Sequence, residues 1–548
     1  MTATTGRRPS APTGALVVLL VVAVVAFALV FYLWPVGALL WRGRSWSSIT
    51  DVLGDASTWK VLWFTTWQAV VSTLATIVVA LPIAAAIARH RFVGRSALRA
   101  FVTVPFVLPT VVVATAFLTL ADRLGLDEDP VRLPGTAWAI IAAHVFFNVA
   151  IVTRSVGGYW SQLDDRPEDA ARTLGAGPVQ TFWSVTLPRL RPALLSSGAI
   201  VFLFSFTSFG VILILGGLRR VTIETEIWRY ATQRTDFETA ATLGLIQLVV
   251  VLATLVVNSR IQERLALVER TRPAAEVEPA VRGRGRGVVA LGVTIALVVI
   301  GLPMAVLVEG SLATGDGYGL GFYRALGDQD QRIPLLPVSG WEALWNSVSW
   351  ALIAAGIATI VGTVAGVAAT SRRRGLARVT DIVFLLPLGT SAVIVGFGML
   401  IALDEPPLDF RTRWWIVPVA QAVIGIPFVM RSVSTSLRSI DPRLREAAAT
   451  LGASPRRVWS EIDLPIASRA MVVGAAFAFA VSIGEFGATA FLARPQRPTV
   501  PTAIFRLLGR PGDLAFGQAM ALSVILMVIT ASAVLVIERF RGVVAGEL

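Results

Sequence analysis

Twelve long apolar runs punctuate this chain, separated by short polar stretches. They lie near residues 15–40, 61–88, 100–120, 136–157, 193–216 and 239–257, then near 287–308, 345–369, 379–403, 413–433, 471–492 and 518–537. Each approaches the ~20 residues a helix needs to cross the hydrocarbon of a bilayer. In lipid such a run must close on itself as a helix, because every backbone N–H and C=O needs a partner. The pattern predicts an all-α membrane protein with two tandem six-helix transmembrane units, about twelve helices in all.

Two polar islands interrupt the runs at equivalent places. Asp164–Pro188 and Asp441–Pro465 align without a gap at an offset of 277, with 11 of 25 positions identical. Each island reads as two short helices joined at a turn. Gly175 or Gly452 ends the first helix where a side chain would resist positive φ. Pro178 or Pro455 then fits the first turn of the second, where no backbone donor is needed. The correspondence continues outside the islands. Arg154-Ser-Val matches Arg431-Ser-Val, Phe209-Gly210 matches Phe486-Gly487, and Thr222 with Ile227-Trp-Arg229 matches Thr499 with Ile504-Phe-Arg506. The chain divides accordingly into a first unit at 1–258, a polar linker at 259–287 and a second unit at 288–548. The first helix is the least alike between units.

The island spacing is an acid followed by Ala-Ala, three residues, Gly, nine residues, then Ile/Val-x-Leu-Pro. It resembles the EAA loop of bacterial ABC importer permeases. Glu446-Ala447-Ala448, Gly452 and Ile462-x-Leu464-Pro465 match in full; Asp169-Ala170-Ala171, Gly175 and Val185-x-Leu187-Pro188 differ by Asp for Glu, with Glu168 beside it. The resemblance implies a type I ABC importer permease-like fold. It also implies a coupling helix that docks in the groove of an ATPase. That role carries over to Glu168, Asp169, Ala170, Ala171 and Gly175, and to Glu446, Ala447, Ala448 and Gly452. Phe182 and Trp459 are the aromatics at equivalent places in the two loops. Leu187-Pro188 and Leu464-Pro465 are expected to set the angle at which the next span returns to the membrane.

Composition narrows the chemistry. Of 548 residues, 55% are hydrophobic and only 15% charged, which takes the chain out of the ordinary soluble class. The absence of cysteine excludes disulfides and thiol catalysis. His90 and His144, the only histidines, are far apart in sequence and do not suggest a metal centre. Lys60, the only lysine, sits in Thr58-Trp-Lys-Val-Leu and forms no phosphate-binding Gly-rich motif. The chain thus reads as a transporter subunit, not an enzyme. It carries no cofactor of its own, and ATP would be bound by a partner ATPase.

The net charge of +13 follows the membrane and does not point to nucleic acid. With the N-terminus placed inside, 31 of the 48 basic residues fall on the cytoplasmic side, including both islands, Arg89–Arg95, 260–287, Arg372–Arg374, Arg539 and Arg541. The outer loops are acidic, at Asp127-Glu128-Asp129, Asp328, Asp330 and Asp404-Glu405. Both termini are expected in the cytoplasm of a multi-pass bacterial cell-membrane protein. The first apolar run reads as a retained span. The Arg-Gly run at 282–286 reads as a topology signal near acidic lipid.

Polar residues inside apolar runs are costly and mark candidate pathway positions. Glu485 is the clearest, with Ser208 as its counterpart; Asn148 and its neighbour His144 are weaker candidates. Glu485 would face a cationic substrate, a salt-bridge partner or water. The strings Leu81-Pro82, Ala88-Arg-His-Arg-Phe92, Val107-Leu-Pro109, His144-Val-Phe-Phe-Asn148, Phe206-Thr-Ser-Phe209 and Leu215-Gly-Gly217 are similar to those of thiamine-importer permeases. Iron(III) importer permeases share the fused layout and are the alternative. The expected partners are two cytoplasmic ABC ATPase subunits, an extracytoplasmic substrate-binding protein and membrane lipid. A secondary transporter driven by an ion gradient would explain the helices and repeats but not the paired loops.

Overall fold

The computed structural model describes residues 13–126, 133–217, 219–265, 284–315, 317–328, 335–371 and 374–545. The expected acidic positions Asp127–Asp129 and Asp330, most of the linker, and Arg372 and Arg373 lie outside the described residues.

Nine helices carry the architecture of each unit. In the first they are α1 (Leu19–Arg42), α2 (Ala56–Arg89), α3 (Arg95–Val107), α4 (Thr110–Arg123), α5 (Ala137–Trp160), α6 (Arg166–Thr173), α7 (Pro178–Phe206), α8 (Ile223–Thr232) and α9 (Phe237–Leu265). In the second they are α10 (Gly285–Leu312), α11 (Gly340–Ala369), α12 (Ala377–Pro387), α13 (Ala392–Ala402), α14 (Ile416–Ser439), α15 (Pro442–Thr450), α16 (Pro455–Ile483), α17 (Val500–Leu508) and α18 (Asp513–Ala545). Among the described residues, ten helices are long and apolar enough to cross a membrane, or twelve if each bent pair counts as one span. The strands described are only the two-residue pair Ala313–Thr314 and Gly317–Tyr318.

Two expectations need correction. The apolar runs near 100–120 and 379–403 are not straight spans. They are the bent pairs α3–α4 and α12–α13, turned by 104° and 97°. Pro109 is extended and has no N–H to continue the helix, and Ser391 caps α13 by accepting from the Ile394 N–H at 3.1 Å. The linker expected over 259–287 is helical at both ends, because α9 runs on to Leu265 and helix resumes at Arg284.

The first helix of each unit packs on the other unit as well as its own. Position 398 of α13 lies so close to α1 that a Cβ there would come within 2.9 Å of the Pro35 carbonyl oxygen, and Trp34 donates to the Ala402 carbonyl at 3.2 Å. In the equivalent contact, a Cβ at Gly310 of α10 would come within 2.9 Å of the Thr119 side chain in α4. Small residues at such crossings let helix backbones approach where no hydrophobic effect drives association. The two units are thereby interlocked.

Proline also explains four π-helical turns, at Leu29–Leu33, Phe182–Thr186, Leu297–Gly301 and Trp459–Asp463. Pro35, Pro188, Pro303 and Pro465 each follow two residues later. Proline cannot donate to the carbonyl four residues back, and its ring crowds that carbonyl. The ladder widens by one residue instead, and the N–H before each proline bonds five residues back, as Leu187 does to Phe182 and Leu464 to Trp459.

Candidate coupling hairpins and membrane pathway

Each island folds as a helical hairpin. Gly175 and Gly452 take φ of +89° and +81°, the conformation their position requires. Both close the same cap. Ala176 N–H bonds to Ala171 O at 3.0 Å and Gly175 N–H to Arg172 O at 3.0 Å; Ala453 N–H bonds to Ala448 O at 2.9 Å and Gly452 N–H to Ala449 O at 3.0 Å. These pairs use up helix-end carbonyls that would otherwise lack partners. Ala170 and Ala447 serve likewise, accepting from the N–H groups of Leu174 and Leu451 at 3.1 and 3.0 Å. Pro178 and Pro455 open the second helices.

The acids do different things. Glu168 is buried: it takes Arg89 at 2.6 Å on one oxygen and the Thr186 hydroxyl at 2.9 Å on the other. Arg89 also pairs with Asp165, so the end of α2 is tied to the hairpin. Asp169 is exposed and pairs with Arg172 at 2.9 Å. Glu446 is exposed. Phe182 and Trp459 are half-buried and begin the two π-helical turns, Phe182 packing on Trp160 at 6.3 Å between ring centroids.

Reading the sequence missed the most exposed large hydrophobic residues on these hairpins. Leu174 and Leu451, one residue before each turn glycine, are 89% and 88% exposed. Val179 and Trp183 stand out beside Leu174. A bulky apolar side chain held in the open at the same point of both repeats is an interaction feature. The available signal was the Leu-Gly identity of both islands, read only as helix and turn.

The predicted pathway residues fall into two groups. Asn148 belongs to a buried network joining α2, α5 and α7. Its Nδ2 donates to His144 O at 3.0 Å and Ser205 Oγ at 3.4 Å, His144 Nδ1 meets Ser72 Oγ at 3.1 Å, and Gln68 Nε2 donates to Ser205 O at 2.9 Å. Gln68 Oε1, His144 Nε2 and Asn148 Oδ1 have no protein partner. Ser208 and Glu485 lie in the breaks just beyond α7 and α16. The Glu485 carboxylate accepts from the backbone N–H groups of Ala488 at 2.7 Å and Thr489 at 3.0 Å. Its burial is therefore met by the next turn of its own chain.

Beside these breaks, equivalent aromatics of the two units meet. Phe209 stacks on Phe486 at 5.4 Å, and Trp228 meets Phe505 edge-on at 6.0 Å. Cross-links of 6.3 Å between Phe209 and Trp228 and 5.5 Å between Phe486 and Phe505 complete a quartet. The quartet is far from the hairpins, since α7 and α16 each run 29 residues between them, roughly 40 Å at 1.5 Å per residue. Thr222 and Thr499 each close a capping box with Thr225 or Thr502 at the start of α8 or α17, the helices that carry Trp228 and Phe505. A further buried acid, Glu224 in α8, accepts from Gln247 of α9; set in Ile223-Glu224-Thr225-Glu226 at a helix start, it gave little warning in the sequence. Among the described residues no group of three or more His, Cys, Asp or Glu could hold a metal.

Comparison with known proteins agrees with this doubled architecture. The thiamine transport system permease protein ThiP of Escherichia coli is 27% identical over 540 residues, covering 95% of each chain. ThiP of Salmonella typhimurium is 26% identical over 484 residues, covering 86% of this chain and 87% of its own. A putative 2-aminoethylphosphonate transport system permease protein, PhnV of Salmonella paratyphi A, is 33% identical over 201 residues, which is 37% of this chain and 75% of that protein. The family model for the binding-protein-dependent transport system inner membrane component matches twice, over residues 77–266 and 358–541. The chain belongs to that family of multi-pass inner-membrane permeases and carries its domain in two fused copies.

Proposed function

We propose that this chain is the permease subunit that forms the membrane pathway of an ATP-driven importer for thiamine. The observation that carries the coupling half of this reading is the pair of hairpin tips, with Leu174 and Leu451 exposed at equivalent points. Two ATPase subunits, one per hairpin, would seat these leucines together with the exposed faces of Asp169, Ala170, Gly175, Glu446, Ala447 and Gly452. Ala171, Ala448, Glu168, Phe182 and Trp459 hold the hairpins in shape and join them to the spans. Both hairpins and both termini lie on the cytoplasmic side in this reading, in line with the arginine placement.

The pathway runs along the seam between the units. Closing the ATPases on ATP draws the hairpins together, and α7 and α16 transmit that movement because each is one continuous rod from hairpin to break. The aromatic quartet at the far end then parts to admit substrate from the binding protein, and hydrolysis restores it. This is a two-state equilibrium biased by ATP. Asn148 and Ser208 are the polar groups offered to a passing solute, with the unpartnered atoms of Gln68, His144 and Asn148 free to take water or substrate. Glu485 holds the break beside the quartet. Thiamine is favoured by the ThiP relatives, of which the two reported align with 86% and 95% of this chain.

The test is uptake into proteoliposomes holding this chain, its ATPase and its binding protein. The expected result is ATP-dependent thiamine uptake, lost in Leu174→Asp/Leu451→Asp together with ATPase association. Uptake of 2-aminoethylphosphonate or iron(III) instead would overturn the substrate. Uptake driven by an ion gradient without ATP would overturn the coupling.

A further inference from the structure

A cavity of about 720 Å³ opens on the first unit, lined by Lys60, Phe64, Trp67, Trp138, Arg219 and Arg220 among others. Three of its lining residues are cations, and among the described residues no carboxylate lines it. The position follows from the chain. Lys60 is in the first turns of α2, Trp138 in the first turn of α5, and Arg219 and Arg220 precede α8. The opposite ends of α2 and α5 meet the first hairpin, through Arg89 and through Trp160. The cavity therefore lies at the end of the spans away from the hairpins.

Its walls divide by chemistry. Trp63 and Trp138 are 70% and 63% exposed, and Trp67 and Phe64 stand beside them. Indole rings at the end of a membrane span are the side chains that settle at headgroup level. Arg220 lies 5.6 Å from the centre of the Phe64 ring, so the cationic and aromatic walls are joined. Asp55, the acid that acts on Lys60, is already tied to Ser57. Three like charges around one concavity repel each other and favour an anion between them.

The repeat shows that the fold does not require this charge. The residues 277 further on are Pro337 for Lys60, Gln496 for Arg219 and Arg497 for Arg220. Only one cation of three is kept, so the basic cavity is an addition to the first unit alone.

We propose that this cavity binds the phosphate headgroup of an anionic phospholipid of the outer leaflet. Lys60, Arg219 and Arg220 would hold the phosphate, and the acyl chains would lie along Trp63, Trp67 and Trp138. The site is independent of the transported substrate.

The experiment compares the complex of this chain and its ATPase, wild type and Lys60→Ala/Arg219→Ala/Arg220→Ala, in nanodiscs of phosphatidylcholine with increasing phosphatidylglycerol. Native mass spectrometry counts retained lipid. Wild type should retain phosphatidylglycerol, and the triple variant should bind it about a hundredfold more weakly, as expected for three basic groups near a membrane surface. The charge-preserving Lys60→Arg/Arg219→Lys/Arg220→Lys should keep it. Equal retention in wild type and the alanine variant overturns the proposal. So does displacement of the lipid by glycerol phosphate at equal concentration, which would make a soluble phosphate the ligand. Unchanged lipid retention with lost stimulation by the binding protein overturns it in favour of a protein-docking face.

Discussion

Arg445 donates to Asp463 at 2.8 Å across the second hairpin, and Glu168 and Thr186, the residues 277 earlier, are joined at 2.9 Å across the first. The tie has the same span in both repeats but different chemistry. In the second hairpin it is a half-exposed ion pair within one hairpin. In the first, Glu168 is buried and needs Arg89 from α2 to balance its charge. Arg89→Met should therefore leave the buried carboxylate with only its longer contact to the exposed Arg172 at 3.5 Å and cost about 3 kcal/mol. Arg445→Met should cost only about 1 kcal/mol. Thermal unfolding of the two variants should show the first as much the less stable. Adding Glu168→Gln to Arg89→Met should recover part of the loss.

The turn glycines make a sharper point about backbone than about space. A Cβ at Gly175 or Gly452 would meet nothing within 4 Å, yet φ is +89° and +81°. Gly452→Ala should weaken the cap by about 1–2 kcal/mol through conformation alone. Gly452→Asn should cost less, because asparagine tolerates this region better. Hydrogen exchange at Ala453, whose N–H closes the cap, is the direct readout, and exchange unchanged by Gly452→Ala would count against the capping account.

These features also show what a sequence can and cannot display. The hairpins were legible because Gly, Pro and an in-register repeat each constrain backbone locally. The bends at Pro109 and Ser391 were not, since an apolar run looks the same whether straight or folded back. Nor was the interlocking of units, because nothing in a linear pattern says that Pro35 will face Gly398. Leu174 and Leu451 were passed over because leucine in a helix is ordinarily buried. Glu485 drew attention as a charge in an apolar run, but the backbone donors that satisfy it appear only once the chain breaks beyond α16.

The aromatic quartet should act as a closure. Phe209 and Phe486 stack across the seam, and aromatic pairs of this kind contribute about 0.5–1.5 kcal/mol each beyond burial. Phe209→Ala/Phe486→Ala should ease opening on the far side. ATP hydrolysis should then become partly independent of the binding protein, and a cysteine placed at Ser208 should react with an impermeant thiol reagent from outside without ATP. Reactivity equal to that of the single cysteine in an otherwise unchanged chain would rule the quartet out as the barrier.

His90 provides a pH dependence at the hairpin end of α2. Partial burial, and secondly the neighbouring Arg89, hold its pKa below the ordinary 6.5. The folded protein keeps it neutral where the unfolded chain already binds a proton. The stability this gives is complete above about pH 6.5 and is lost as pH falls through the folded value. The ring lies against Gly285 at the start of α10, so protonation should loosen that contact. The thermal midpoint of wild type should fall between about pH 7 and 5 more than that of His90→Asn. Parallel curves would remove His90 from the account.

Glu485 separates two roles that one substitution series can distinguish. Both carboxylate oxygens accept backbone N–H groups, from Ala488 and Thr489. Glu485→Ala would strand two buried donors at about 1–3 kcal/mol each and should destabilise the break beside the quartet. Glu485→Gln keeps an acceptor of the same length but removes the charge, so it should lose only part of that stability. If Glu485 serves the break, thiamine uptake by the Gln variant should track its modest loss of stability, with an unchanged KM. If the carboxylate instead attracts a cation in transit, the Gln variant should raise KM for thiamine while folding and ATPase association stay intact. The geometry predicts the first result, because an oxygen already bonded to backbone has little capacity left for a passing substrate.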